Sequence, residues 1–321
     1  MTVLCVAYYF LSFQLSEAGL KWNNGFTMVR RPVSHSVRSS NAKSLISEKD
    51  SQLSLLRNTS KRETSVASEV RNPENEHVVI LTTTNYAYID MTCNWLESLK
   101  RCGLNDRVII VAEDEPTFRL LRNQSDPNLQ VWLPFGDRAE LSNDTEFLHF
   151  GSDKYIRLVN RRPTYILYFL DRKMDVLFTD VDTVWLKNPM SFLRNNFDLQ
   201  LEMDQHDDGK DYKDIRCAGF VYYRASEATR GLVRRWIERV KLQPKVPDQI
   251  LLNDVLSDSV SNESLNISIL DPVYFPNGNE FFNQAWRNAH PDIDPVVLHN
   301  NWIEGYDVKI QRFKEYGLWY L

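Results

Sequence analysis

The chain is short of several things, and each shortage excludes something. Four cysteines in 321 residues, Cys5, Cys93, Cys102 and Cys217, form no CxxC and no zinc spacing, so a structural zinc module is excluded. Cys93 and Cys102 could pair in an oxidising compartment, and buried free thiols are the equal alternative. Positive charge is not in excess: 38 Lys and Arg face 43 Asp and Glu, net −5, with no long basic block. Nucleic acid is therefore excluded as the main partner. An anionic ligand would have to be recruited by a metal and a few local cations rather than by a global field. Long apolar runs are missing too. Val3 to Phe13 is nearly all apolar but falls short of the ~20 residues that span a bilayer. Small residues follow at Ser16-Glu17-Ala18-Gly19, so residues 1–20 read as a signal peptide or a truncated signal anchor.

No Phe, Trp or Tyr occurs from Thr27 to Asn85, and residues 34–68 are rich in Ser with scattered charge. Such a stretch cannot bury enough apolar surface to offset its ordering entropy. Residues 21–76 read as a flexible stem. N-x-Ser/Thr sequons stand at Asn58, Asn123, Asn143, Asn262 and Asn266. Each is weak alone, but with the leader they point to the secretory lumen.

What is present is a globular remainder: the chain is 43% hydrophobic and 12% aromatic, enough for a sizeable core. From His77 onward, apolar strand runs alternate with helical patterns. Strands are expected at 77–84, 107–112 and 129–133 and in a fourth, acid-bearing run from Val176 that ends on the Asp180/Asp182 pair, with helices at 87–101, 116–123 and 152–172, the last kinked or split by Pro163. That alternation predicts a mostly parallel α/β sheet with crossover helices and ligands at the carboxyl ends of the strands. The second half is more mixed, with strands at 198–203, 217–223 and 295–299 and helices at 226–241 and 248–257.

The most informative residues are Asp180 and Asp182, framed by Val176-Leu177-Phe178-Thr179 and by Thr183-Val184-Trp185-Leu186. An extended segment turns residues i and i+2 to one face, so both carboxylates can meet one cation. Two buried acids side by side would otherwise repel. The pair predicts a Mg²⁺- or Mn²⁺-type site that suits a nucleotide diphosphate. His299 ends a late strand and can supply a third, neutral ligand. Lys309 can neutralise a phosphate, and Gly305 would let the backbone approach it. Asp248 is an expected helix N-cap, with Gln249 facing the sugar. Arg157, Arg161 and Arg162 offer further positive charge near the acids. Thr83, Asn85 and Tyr86 end the first strand, where they could hold a base and its ribose. Glu202 and Asp204 could bind sugar hydroxyls.

The run Leu177-Phe178-Thr179-Asp180-Val181-Asp182-Thr183-Val184-Trp185-Leu186-Lys187-Asn188-Pro189 resembles the nucleotide-diphospho-sugar transferase domain of glycosyltransferase family 77. So do Cys217-Ala218-Gly219-Phe220, Asp248-Gln249, Phe275-Pro276-Asn277-Gly278 and His299-Asn300-Asn301-Trp302-Ile303-Glu304-Gly305 with Lys309. The order holds over about residues 77–321. The resemblance implies a GT-A fold, Rossmann-like with a mixed, mostly parallel sheet. It implies a UDP-sugar donor, Mn²⁺ and retention of anomeric configuration. It makes Asp180, Asp182 and His299 the metal ligands, with Asp182 direct and Asp180 shared with the ribose. Gln249 or Asp248 then lies near the anomeric carbon, and Thr83, Asn85, Tyr86, Arg162, Gly305 and Lys309 line the donor. The implied acceptor is a glycan or glycoprotein, and the implied place is the Golgi lumen. Three departures bear on the donor sugar: Ala218 where Thr or Ser is usual, Arg162 where Lys is usual, and no Gly in Arg172-Lys173-Met174.

Two other readings compete. A haloacid-dehalogenase-like phosphatase would use Asp180 as nucleophile, but the chain has no downstream apolar strand ending in Gly-Asp-x-x-x-Asp. A non-catalytic sugar-nucleotide-binding protein would keep the fold without turnover.

Overall fold

The computed structural model describes residues 78–321 except 105, 106, 124, 125, 127, 137–140, 143, 144, 195, 206–214 and 261–264. These belong to one compact unit within residues 44–321. The expected leader, the stem, Cys5 and the sequons at Asn58, Asn143 and Asn262 lie outside the described residues. Among the described residues no helix is long and apolar enough to cross a membrane.

Among the described residues, seven strands form the main sheet: β1 Val78–Thr84, β2 Val108–Ala112, β3 Leu129–Trp132, β4 Asp175–Thr179, β6 Leu199–Gln205, β7 Ile215–Tyr223 and β8 Ile267–Ile269. Their order is β3-β2-β1-β4-β7-β6-β8. Pairings β1–β2, β1–β4, β2–β3 and β6–β8 are parallel, while β4–β7 and β6–β7 are antiparallel. The sheet is the mixed, mostly parallel one expected. The central strands β1, β2 and β4 read as nearly continuous apolar runs because both of their faces are covered. Along β1, Val79 and Leu81 face one core with Tyr165, Phe169, Trp236 and Leu252, while Val78 and Ile80 face the other with Trp95, Leu99 and Phe275.

The helices that cover the sheet are α1 Ile89–Arg101, α2 Glu115–Arg122, α3 Asp153–Val159, α4 Arg162–Leu170, α5 Glu227–Leu242 and α6 Asp248–Val260. Shorter helices follow at α7 Gly278–Phe281 and α8 Gln284–Ala289, and α9 Tyr306–Glu315 is the last. The helical pattern over 152–172 resolves into α3 and α4, broken at Asn160-Arg161. Pro163 stands at the start of α4, where its missing N–H costs nothing. Arg157 and Arg161 consequently share no helix: Arg157 is exposed on α3 and Arg161 lies in the break.

The acid pair also differs from expectation. β4 ends at Thr179, the Asp180 N–H donates to the Gly219 carbonyl at 2.7 Å, and Val181-Asp182 forms a turn. The two acids converge through this turn rather than along one strand face. The Thr183 hydroxyl donates back to the Asp180 carbonyl at 2.9 Å and closes it. A short strand the sequence did not announce, β5 Thr183–Trp185, then pairs antiparallel with β9 Val297–His299, with Thr183 opposite His299. Val184 and Leu298 of this ribbon pack on Phe313 of α9 and on Leu318. Cys93, Cys102 and Cys217 are free thiols, so the Cys93–Cys102 pairing does not form.

Candidate active site

β9 delivers His299 beside the acid turn, and the Asn300 N–H fixes its end by donating to the Asp182 carbonyl at 2.9 Å. Ligand atoms of Asp180, Asp182 and His299 all lie within 4.8 Å of one another. The His299 Nε2 stands 3.3 Å from Asp182 Oδ1, and the Lys309 ammonium of α9 sits on Asp182 Oδ2. Burial would raise the Asp182 pKa, but Lys309 and His299 outweigh it and hold the carboxyl well below the usual range. Burial opposes charge on His299, yet Glu202 and Asp182 hold its pKa well above the ordinary value. The cluster therefore carries anions already neutralised by cations, as a divalent-ion site does when protein charges stand in for the ion. The donor set of two carboxylates and one imidazole fits Mn²⁺ or Mg²⁺.

Asp180, by contrast, is one-third exposed at its side chain and is held from behind. Arg162 donates to Asp180 Oδ1 at 3.0 Å and meets Asp248 Oδ2 at 3.1 Å, with its guanidinium stacked 4.5 Å above the Phe178 ring. Burial pushes the Asp248 carboxyl up to about 6, against the pull of Arg162. Asp248 is the first residue of α6, and its Oδ1 accepts from the Gln249 N–H at 2.8 Å. Gln249 spans two strands, accepting from the Ala218 N–H at 2.9 Å and donating to Asp204 Oδ2 at 2.9 Å. Asp180, Asp182, His299, Lys309, Arg162, Asp248 and Gln249 thus form one connected set at the carboxyl end of β4.

The residues assigned to the base and ribose sit at the end of β1, and each has a protein partner. The Thr83 hydroxyl donates to Glu113 Oε1 at 2.7 Å, the Asn85 amide to the Glu146 carbonyl at 3.3 Å, and the Tyr86 N–H to Asp114 Oδ2 at 2.7 Å. Arg161 meets Glu113 Oε2 at 2.6 Å and is not turned to the acid pair. Gly305 adopts φ +108 as the N-cap of α9, a backbone state that a side chain would strain.

Three residues that sequence reasoning did not assign this way stand out. Gly219 of β7 leaves no room for a side chain: a Cβ there would lie 2.4 Å from Asp180 Oδ2 and 2.7 Å from His299 Cε1. Its only signal was its place in Cys217-Ala218-Gly219-Phe220. Glu202 of β6 is buried and accepts from His299 Nδ1 at 2.9 Å, so it faces the imidazole and not a sugar. That contact orients Nε2 toward the acids, as carboxylates behind metal-binding histidines do. Tyr88 lies close enough that burial and then the Asp182 and Asp180 charges raise its pKa. It packs at 5.5 Å on Phe147 and edge-on at 6.1 Å to Tyr306.

Known proteins resemble this chain in sequence. A family model described as nucleotide-diphospho-sugar transferase matches residues 103–313. The chain is 28% identical over 282 residues to UDP-D-xylose:L-fucose alpha-1,3-D-xylosyltransferase 3 of Arabidopsis thaliana, covering 80% of this chain and 70% of that protein. It is 28% identical over 292 residues to UDP-galactose:fucoside alpha-3-galactosyltransferase of Dictyostelium discoideum, covering 77% of this chain and 43% of that protein. Among solved structures, the apo form of glycosyltransferase GlyE from Streptococcus pneumoniae TIGR4 aligns with a TM-score of 0.47 at 16% identity, over 75% of this chain and 60% of that one.

Proposed function

The chain belongs to the nucleotide-diphospho-sugar transferase family, and from that membership we propose a metal-dependent, retaining glycosyltransferase of the secretory pathway that moves a sugar from a UDP-sugar to a glycan or glycoprotein. The observation that carries the metal dependence is the convergence of Asp180, Asp182 and His299 within 4.8 Å. When bound there, Mn²⁺ or Mg²⁺ would be held by these three side chains and would stabilise charge on the departing diphosphate. The protein's own groups do the rest. Glu202 keeps the His299 Nε2 turned to the acids. Lys309, paired with Asp182, supplies a mobile positive charge that can pass to a phosphate oxygen. Arg162 is fixed between Asp180 and Asp248 and cannot follow the phosphate. Its role is to hold Asp180 in place and to keep Asp248 beside the donor sugar. Gln249, or Asp248 itself, is the group we place near the anomeric carbon, with the acceptor hydroxyl entering on the face the diphosphate leaves.

Relatives bearing xylosyl and galactosyl activities in their names support a pentose or hexose donor. Exposed sequon asparagines at Asn123 and Asn266 support the secretory lumen. Family membership removes the ground for the haloacid-dehalogenase-like reading. Incubating the full chain with UDP-xylose, UDP-galactose, UDP-arabinose or UDP-glucose, with and without Mn²⁺, tests the proposal. Mn²⁺-dependent release of UDP from at least one donor, with retention seen in the product by NMR, is expected. Release of inorganic phosphate through a trapped aspartyl-phosphate would instead restore the phosphatase.

A further inference from the structure

Trp302 is the aromatic residue most at odds with its surroundings. It follows β9 by three residues, and its backbone stands at φ 56, a left-handed conformation that is a genuine outlier for a bulky side chain. The residue is 49% exposed. Yet the indole is pinned: Nε1 donates to the Asp204 carbonyl at 3.2 Å and to Asp204 Oδ1 at 3.1 Å. The preceding residue is pinned as well. Asn301 donates to the same Oδ1 at 3.1 Å and accepts from the Gly278 N–H at 2.6 Å. Its carbonyl leaves only 2.0 Å to a Cβ built on Gly278. Strain held in place by surrounding contacts is a mark of functional segments. Here it presents a flat apolar surface to solvent.

The position of that surface matters. Asp204 Oδ2 accepts from Gln249, and Gln249 in turn bonds the backbone of Ala218, next to Gly219 and the acid cluster. In the sheet, β6, which carries Asp204, lies on the opposite side of β4 from β1 and β2. The indole therefore stands on the sugar side of the cluster, away from the strand end assigned to the nucleoside. A rigid aromatic face beside a carboxylate with spare acceptor capacity is the chemistry that holds a pyranose: the C–H face lies on the ring and a rim hydroxyl donates to the carboxylate.

We propose that Trp302 is the platform of an acceptor subsite that takes a neutral pyranoside by its C–H face, with Asp204 both fixing the indole and receiving an acceptor hydroxyl. This rests on the transferase reading. It is tested with the full chain, Mn²⁺, whichever UDP-sugar the protein hydrolyses, and three acceptor probes: methyl β-D-galactopyranoside, methyl β-D-xylopyranoside and methyl α-L-fucopyranoside. Trp302→Ala is expected to raise acceptor KM at least about tenfold, while UDP affinity and acceptor-free donor hydrolysis stay within about twofold. Trp302→Tyr, which keeps a flat ring, is expected to recover most of the loss. An unchanged acceptor KM, an equal loss of UDP affinity, or no transfer to any probe by a wild-type chain that hydrolyses its donor overturns the subsite. A wild-type chain that neither binds UDP with Mn²⁺ nor hydrolyses any UDP-sugar sinks the transferase reading itself, a different and earlier failure.

Discussion

Two buried acids in this molecule look alike in sequence and differ in what surrounds them. Glu113, at the end of β2, has both oxygens taken by core elements: Thr83 and Tyr165 donate to Oε1 at 2.7 and 3.0 Å, and Arg161 meets Oε2 at 2.6 Å. Asp182, at the turn after β4, is met by His299 and Lys309, and beside it stands a second acid, Asp180, that reaches solvent. Hydroxyls and one guanidinium satisfy Glu113 from inside the core. The second cluster sets like charges together and covers them with His299, Lys309 and Arg162. A buried carboxylate is thus no mark of function by itself; crowded carboxylates of which one reaches solvent are a stronger one.

Substitutions separate the two clusters, the largest effect first. Asp182→Asn should lower transfer by about 1,000-fold, several kcal/mol of transition-state charge stabilisation, and should also lower the melting temperature, because Lys309 and His299 lose their shared anion. Glu113→Ala should cost stability alone: about 3 kcal/mol lost in denaturant titration, because Arg161, Thr83 and Tyr165 lose a shared partner. Its kcat per folded molecule should stay within about twofold of wild type. If both variants lost activity equally, the distinction between the clusters would collapse. Gly219→Ala should cost about 100-fold in rate, since a Cβ in contact with both Asp180 and His299 pushes ligands apart by a fraction of an ångström or more. Full activity in this variant would show that the two side chains need not converge. Glu202→Gln should weaken Mn²⁺ binding by about 10- to 100-fold, read by electron paramagnetic resonance of free Mn²⁺; unchanged affinity would reduce Glu202 to a packing role.

The smallest effect belongs to a third acid, Asp198, which resembles Glu113 in being fully bonded. Burial would raise its pKa, but the Asn266 N–H, Ser226 and Arg224 outweigh it and lower it. A lowered carboxyl stabilises the fold above the usual aspartate range and loses that contribution as pH falls through it. Asp198→Asn should therefore be less stable than wild type by about 1–2 kcal/mol at pH 7, and thermal melts should show the gap closing in acid. A gap independent of pH would assign it to packing instead.

Much of this arrangement could be read from the sequence, and the failures have physical causes. The apolar runs around Asp180 and before His299 marked strand ends, and strand ends carry ligands in such sheets, so the convergence of Asp180, Asp182 and His299 was legible. The Val181-Asp182 turn was not, because its closure depends on the Gly219 carbonyl and the Thr183 hydroxyl. β5 was hidden because three residues carry no readable period, and its partner lies more than a hundred residues away in β9. Glu202 and Gly219 were seen as strand residues but not as neighbours of His299, since only the antiparallel β6–β7–β4 order brings them there. Thr83 was assigned to the ligand because nothing local announces Glu113, thirty residues on, as its partner.

The central claim is that Asp180, Asp182 and His299 make one cation site that receives a nucleoside diphosphate. Calorimetric titration of UDP into the full chain, with Mn²⁺ and then with EDTA, tests it most directly. The account predicts saturable binding with Mn²⁺, none with EDTA, and none in Asp182→Asn at either condition. UDP binding of equal strength without metal, or undiminished in Asp182→Asn, would contradict it.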